Sequence, residues 1–579
     1  MNGTIRKDSL PNDTIIEVKD ILHSLGIDVL VVSKHEHDLF SSVRIEINGI
    51  NGIGTNGKGI NTEYSMASAL GEFMERLQSG SLLYNYLGNM SRQLPSNTNC
   101  FFSLDEMCKL TRDLFEDIFD ISVDEFKQFL CSNQQFLKKT PYFDVFEQRM
   151  VDLPDNLIFN ICGSNGLCAG NSPLEAICQG IGEVLERMVL RKIYTNPELF
   201  PNVPDILIEN LASYEIKKFL ENRKYQCIVK DCSISGAFPV IGVLVLDPSK
   251  KKYRFSLASD LNLDIALQRC FTEIFQGYSF NMFFPMSMKK ILDFDKIGAS
   301  DWKTLDKNYI FQEMCNQAHD GSGCLPLSFL KNSYEVHDIS VFNCDVLSNF
   351  EVFHRLLAIL KQQGFKLYIK DYSYAGFPTY RIFISKASGA FQGSLSYRLN
   401  TVKMVSDLKD MLKEGDVNKI INAIHVLNEN HINVNLEEIF HIKFQNKITN
   451  DLKKIEVFLS MKLKHYQEAY FLYSKYFSNQ ENNEYIKLYL LSRCYKNDKI
   501  NFIESDYAFI NSVCLQVITD FLNEYEAFSF PDFCTGKCEC CKNAPTCLTS
   551  KIQVIARKLY SLYENHDFSR ENYMKILTL

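Results

Sequence analysis

The chain has 579 residues, 46% of them hydrophobic, a formal net charge of -8 and a pI near 5.9. That length exceeds one ordinary domain, and the acidic balance gives no general electrostatic case for a nucleic-acid partner. Residues 1–8 lack the apolar core of a secretory signal, and the most apolar stretch, 232–246, is too short to span a bilayer, so a cytoplasmic, non-membrane protein with mostly reduced thiols among its 19 cysteines is expected.

From the N-terminus, periodicity predicts an amphipathic helix from about residue 14 that leads into a strand at Ile27–Val32. Alternation predicts a second strand over Ser42–Asn48. The run Gly54-Thr55-Asn56-Gly57-Lys58-Gly59 reads as a glycine-rich turn where backbone amides can approach an anion and Lys58 adds charge; alone, it is more simply a plain loop. In the following helix Ser68, Glu72, Glu75 and Arg76 fall at i, i+4, i+7 and i+8, which is one face. A helix-rich stretch follows over 103–140 and reads as packing, or as an insertion shaping a peptide approach.

A second Asn-Gly turn, Ser164-Asn165-Gly166, precedes a helix in which Gln179, Glu183, Glu186 and Arg187 repeat the same offsets. Glu72 to Glu183 and Arg76 to Arg187 are each 111 residues apart, and Asn56 to Asn165 is 109, which points to a divergent internal duplication. Strands are predicted within 226–246, then a helix over Asp264–Gly277 carrying Arg269 and Glu273. Strands at 336–341 and 366–371 flank a helix at 348–364, and Gly376–Ile384 supplies the last strand. Beyond residue 400 the pattern is helical, at 402–414, 416–429, 449–463, 465–477 and 483–496, with apolar spacing like that of stacked helix pairs.

One acidic helix face alone reads as ordinary solvent-facing charge. Two that met would repel, since like charges cost several kcal/mol at reduced dielectric. A cation between them would relieve this. Carboxylate oxygens suit Mg²⁺, which commonly bridges to nucleotide phosphates, and Arg76, Arg187 and Arg269 have the fork that fits phosphate oxygens.

Ser-x-x-x-Glu-x-x-Glu-Arg at Ser68, Gln-x-x-x-Glu-x-x-Glu-Arg at Gln179 and Arg-x-x-x-Glu at Arg269, in that order, resemble the three ATP-binding signatures of YcaO-domain proteins. The likeness is greatest to the long stand-alone members. It implies an α+β fold, a YcaO-type mixed domain over 1–400 followed by an all-α, tetratricopeptide-like domain over 401–579. It implies ATP and Mg²⁺ as cofactors, with Glu72, Glu75, Glu183, Glu186 and Glu273 as metal ligands. Lys7, Lys58, Ser68, Arg76, Asn171, Gln179, Arg187 and Arg269 become the nucleotide contacts. The implied chemistry is activation of a backbone amide by phosphorylation of its oxygen, on the way to heterocycles, thioamides or related groups. The implied partners are a peptide or protein substrate, a sulfur-delivery or leader-binding protein, and a second copy of the chain. Long stand-alone members also resemble an accessory factor for ribosomal-protein methylthiolation.

The chain departs from the family where Ile384-Ser385-Lys386-Ala387 replaces the usual Val-Pro-Gly turn, and in ending Met574–Leu579 rather than in the proline-rich tail of many cyclodehydratases. The general base is left unassigned. Cys534, Cys538, Cys540, Cys541 and Cys547 are close enough in sequence for a zinc or iron–sulfur site, but their spacing is not a standard one. A redox or sulfur-handling thiol cluster and a reduced loop stay open.

Overall fold

A computed structural model describes residues 7–37, 39–83, 100–116, 119–197, 200–247, 249, 252–276, 289–290, 307–321, 323–331, 334–336, 339–342, 347–389, 395–430, 432, 434–440, 451–477, 483–495, 512–530 and 547–578. In chain order the elements begin α1 (Pro11–Ser24), β1 (Val29–His37), β2 (Phe40–Ile47), β3 (Gly54–Gly59), α2 (Thr62–Gln78), α3 (Leu104–Leu114) and α4 (Val123–Ser132). They continue β4 (Thr140–Asp144), β5 (Arg149–Leu153), α5 (Asp155–Cys162), β6 (Leu167–Ala169), α6 (Pro173–Thr195), α7 (Tyr214–Glu221), β7 (Gln226–Asp231), β8 (Val240–Asp247), β9 (Lys252–Ser259) and α8 (Leu263–Ile274). Then come β10 (Lys289–Lys290), α9 (Lys307–Asp320), α10 (Leu327–Lys331), α11 (Asn349–Gln362), β11 (Leu367–Asp371) and β12 (Thr379–Ile384). The rest is helical: α12 (Leu395–Glu414), α13 (Val417–Glu429), α14 (Leu436–Phe440), α15 (Leu452–Lys462), α16 (Tyr466–Tyr476), α17 (Asn483–Tyr495), α18 (Ser512–Ala527), α19 (Leu548–Glu564) and α20 (Arg570–Leu577).

The fold is mixed α+β. Among the described residues the strands form three antiparallel sheets, ordered β1-β2-β3, β10-β9-β8-β7 and β5-β4-β11-β12-β6. The central element is α6. Its N-cap Ser172 accepts from the Glu175 amide and Pro173 opens the first turn, a good start for a helix. From Ala176 to Tyr194 its apolar residues are buried on most sides, leaving Gln179, Glu183, Glu186 and Arg187 as a less buried polar stripe. It sits flush on β6 and β12 because Gly180 has no side chain: a Cβ there would come within 2.6 Å of Cys168 Sγ and Ile382 Cγ1.

The predicted glycine turn at 54–59 is corrected to a strand. β3 pairs with β2 from Ser41–Gly59 to Glu46–Gly54. The glycines there allow close packing: a Cβ on Gly57 would lie 2.0 Å from the Ser65 carbonyl oxygen and 2.4 Å from the Ala69 amide, so α2 can rest directly on the strand. The second predicted turn is real, with Gly166 at φ +82°, a conformation that glycine adopts without strain. Of the strand expected at 336–341, residues 337–338 lie outside the described residues; Val336 is not in a strand, Ser340–Val341 form a turn, and the neighbouring Glu335 makes one bridge with Asn202.

The chain divides into two compact units, whose described residues are those within 7–83, 100–398 and 553–578 in the first and those within 399–552 in the second. In the first unit the terminal helix α20 is part of the core. Tyr573 stacks on Phe143 at 5.1 Å, its hydroxyl oxygen accepts from the Asp371 amide at 2.8 Å, and Leu577 is fully buried. The second unit has its own core, built from residues such as Ile424, Phe458, Leu472 and Leu490. Cys534, Cys538, Cys540 and Cys541 lie outside the described residues; Cys547, partly buried, stands just before α19. No described helix is long and apolar enough to cross a membrane.

Candidate functional site

Helices α2, α6 and α8 and strand β3, with parts of β9, α9 and α11, converge on a cavity of roughly 980 Å³ within the first unit. α2 starts at Asn61, whose side chain accepts from the Tyr64 amide, and α8 starts at Asn262, which accepts from the Ile265 amide. These caps fix where each helix begins, and therefore which face turns inward. The cavity wall carries Lys7, Lys58, Ser68, Glu72, Glu75, Arg76, Asn171, Gln179, Glu183, Glu186, Arg187, Arg269 and Glu273, the residues expected from sequence to hold the nucleotide and Mg²⁺.

The two acidic faces do meet. Glu75 is 8% exposed, and its carboxyl is pushed up to about 8 by burial, with the charges of Glu183 on α6 and Glu72 on its own helix adding to the effect. Burial raises Glu183 too, with Glu186 and Glu72 adding and the guanidinium groups of Arg187 and Arg76 opposing. Arginines already stand beside these acids. Arg76 Nε lies 3.4 Å from Glu75 Oε1, and a terminal Arg76 nitrogen lies 3.7 Å from Glu72. Arg269 lies 3.4 Å from Glu186 Oε1 and donates to the Ser259 carbonyl oxygen at 2.9 Å, while the Ser259 amide donates to Glu186 Oε1 at 2.7 Å. Arg187 donates to the Ala318 carbonyl oxygen at 2.6 Å, and Lys58 on β3 pairs with Glu273 on α8. Burial and the neighbouring Arg269 push the Lys58 ammonium down to about 8.

The described charges lining the cavity balance: Glu72, Glu75, Glu175, Glu183, Glu186, Asp260 and Glu273 against Lys7, Arg44, Lys58, Arg76, Arg187, Arg254 and Arg269. Yet Glu75 and Glu183 stay above the ordinary carboxylate range with these cations in place. The cavity thus keeps a local demand for positive charge beside hard oxygen donors, which fits Mg²⁺. Among the described residues no three acids, histidines or cysteines form a preassembled metal centre.

Glu175 was missed from the sequence. It is 4% exposed and takes Lys7 Nζ at 2.9 Å, the Asp8 amide at 2.9 Å and Asn171 Nδ2 at 3.1 Å. Burial opposes its ionisation, but Lys7 and these hydrogen bonds win and hold it below the ordinary range. Thr14 Oγ1 completes the corner by donating to Asn171 Oδ1 at 2.6 Å. Lys7 and Asn171 therefore fasten the N-terminal segment over the start of α6. Ser172-x-x-Glu175 carries only a helix-start signal in sequence, and nothing local marks Glu175 as the partner of a lysine 168 residues away. Arg254 and Asp260 on the cavity wall also had no sequence signal.

Fold and site together define the class: an α+β protein in which two acid-bearing helices and a third charged helix enclose a nucleotide-sized, charge-balanced cavity. The chain belongs to the YcaO family, described as YcaO cyclodehydratase, ATP- and Mg²⁺-binding, whose profile matches residues 56–388, more than half of it. It is similar to the ribosomal protein S12 methylthiotransferase accessory factor YcaO of Escherichia coli (strain K12), 26% identical over 397 residues, 65% of each chain. Among solved structures it is similar to a heterocyclase in complex with substrate and cofactor (16% identity, TM-score 0.44, 66% of this chain and 53% of that one). Another is YcaO from Methanopyrus kandleri bound with AMPPCP and Mg²⁺ (14% identity, TM-score 0.42, 67% of this chain and 93% of that one). The chain thus spans just under two thirds of the E. coli relative and about half of the heterocyclase.

Proposed function

We propose that the chain binds ATP with Mg²⁺ in this cavity and activates a backbone amide of a peptide or protein by phosphorylating its oxygen, leading to a heterocycle, thioamide or related group. The observation that carries this is the convergence on one cavity of Glu75, buried on α2, and Glu183, partly buried on α6, both held protonated more readily than free carboxyls despite adjacent arginines. Membership of a family described as ATP- and Mg²⁺-binding supports it. Glu72, Glu75, Glu183, Glu186 and Glu273 would hold the metal, which supplies neutralisation of charge on the transferred phosphoryl group. Arg76, Arg269 and Lys58 would turn from their present carboxylate partners, and Arg187 from the Ala318 carbonyl oxygen, toward phosphate oxygens. Ser68, Gln179, Asn171 and Lys7 would orient the rest of the nucleotide. In this reading the ATP-binding domain expected over 1–400 also takes in residues 553–579, the helical domain expected over 401–579 is the unit centred on 399–552, and the Asn-Gly segments before α2 and α6 are traces of an internal duplication. The tetratricopeptide-like character of the second domain is supported by the serial packing of α15 on α16 and α16 on α17. Function as a homodimer beside a sulfur-delivery or leader-binding protein belongs to the same reading.

A second reading is an accessory factor for ribosomal-protein methylthiolation, favoured by the name of the E. coli relative and by a separate helical unit suited to docking. Phosphate release separates the two. An amide-activating enzyme accelerates at least tenfold when its peptide is added, whereas an accessory protein turns over ATP at the same rate with or without it.

A further inference from the structure

We propose that Gln78, with the Phe377-Pro378-Thr379 tripeptide, is the spacer that sets the separation of the two acid-bearing helices, and so acts as a positioning residue for the cavity. Its role in metal binding rests on the function proposed above. Gln78 is the last residue of α2, three positions after Glu75, and has no exposure to solvent. Its Nε2 donates to the Phe377 carbonyl oxygen at 2.8 Å and to Thr379 Oγ1 at 2.6 Å, and its Oε1 accepts from the Ala375 amide at 2.8 Å. Its own carbonyl oxygen accepts from the Tyr374 hydroxyl. A buried amide with both ends satisfied this way is costly to move, because each bond broken leaves a polar group without water.

The same tripeptide is bonded on its other side to the approach to α6. The Gly170 amide donates to the Pro378 carbonyl oxygen at 3.1 Å, and Thr379 stands opposite Ala169 in the β12–β6 register. Gly170 in turn lies so near α6 that a Cβ would fall 2.8 Å from the Ala176 amide. α2 and α6 both pack on β6 and β12. Three residues of chain therefore hold the C-terminal end of one acidic helix and the N-terminal end of the other. The spacer is backed from behind: Ser373 Oγ accepts from the Thr379 amide at 3.0 Å, and Tyr374 meets Tyr563 of α19 edge-on at 5.3 Å.

Gln78→Met keeps the shape and removes both functions of the amide; Ile158→Val, a fully buried change outside the spacer, serves as the stability control. In hydrogen–deuterium exchange on the full chain, Gln78→Met is expected to speed exchange at least tenfold both in the last turn of α2 and in the first turn of α6. The helices of residues 399–552 and the control variant should not change. In Mg²⁺ titrations of nucleotide binding, half-saturation should rise about tenfold in Gln78→Met while metal-free nucleotide binding stays as in wild type. Exchange that rises in α2 alone, or nowhere, overturns the spacer, as does an unchanged Mg²⁺ requirement in a wild type that shows one. If wild-type protein shows no Mg²⁺-dependent binding but the two helix ends still loosen together, the spacer stands and the proposed function falls.

Discussion

Two carboxyl groups on one helix, Glu175, buried, and Glu183, partly buried, are shifted in opposite directions. Glu175 sits where a lysine, a backbone amide and an asparagine converge on it, so its charge is better accommodated than in water. Glu183, about two turns later, faces other acids across the cavity, and its arginine neighbours do not compensate for lost hydration. The first arrangement fastens the N-terminal segment, and the second is the one proposed to take a metal. Glu456 in the helical unit shows the fastening again: 1% exposed, with His425 Nδ1 at 2.6 Å, Asn428 Nδ2 at 2.6 Å and the Tyr476 hydroxyl at 2.7 Å. Burial of an acid therefore says little by itself; whether its hydrogen bonds are filled separates structure from function.

The largest expected effect breaks the contrast at its functional end. Glu183→Gln removes one of the opposed charges at constant volume, and ATP turnover should fall by more than about 100-fold, roughly 2.7 kcal/mol or more of transition-state stabilisation. Circular dichroism and Tm should stay at or above wild type. Turnover within a fewfold of wild type would remove the assignment.

Acidity sharpens the contrast next. Glu75 is raised from 4.5 to about 8, so the folded metal-free protein binds its proton more tightly than the unfolded chain does. The stabilisation this gives is complete below the unfolded value and is lost as pH rises through about 8, so Tm without metal should fall between pH 5 and 8. Glu75→Gln should flatten that slope, as should Mg²⁺. Glu175, being lowered, contributes with the opposite sign: its stabilisation is present above 4.5 and is lost as pH falls below it. A Glu75→Gln protein whose Tm follows pH like wild type would show that Glu75 is not the group responsible.

The smallest effect tests the fastening in the helical unit. Tyr476→Phe removes one of the three bonds on Glu456 and should cost about 1–2 kcal/mol, a Tm decrease of a few degrees, with nucleotide binding unchanged. A change in nucleotide affinity without loss of stability would show that this cluster is not merely structural.

The three charged helices were legible because each carries its pattern locally: Ser68, Glu72, Glu75 and Arg76 share a face whatever the helix packs against, and the 111-residue echo shows which faces correspond. The 54–59 segment misled for the same reason. Its glycines carry a turn signal in isolation, and only the arrival of Ser65 and Ala69 against Gly57 reveals that they are needed for contact. Glu175, Gln78 and Arg254 gave no warning, since their partners or their walls come from distant parts of the chain.

The sequence by itself determined which residues carry charge and which face of each helix they occupy, because 3.6 residues per turn is a property of the local backbone. Only the tertiary structure decided that two such faces oppose one another, that their arginines already partner them, and that a three-residue strand entry holds them apart. Those outcomes depend on desolvation and on contacts between residues up to about 300 positions apart, which no local pattern encodes.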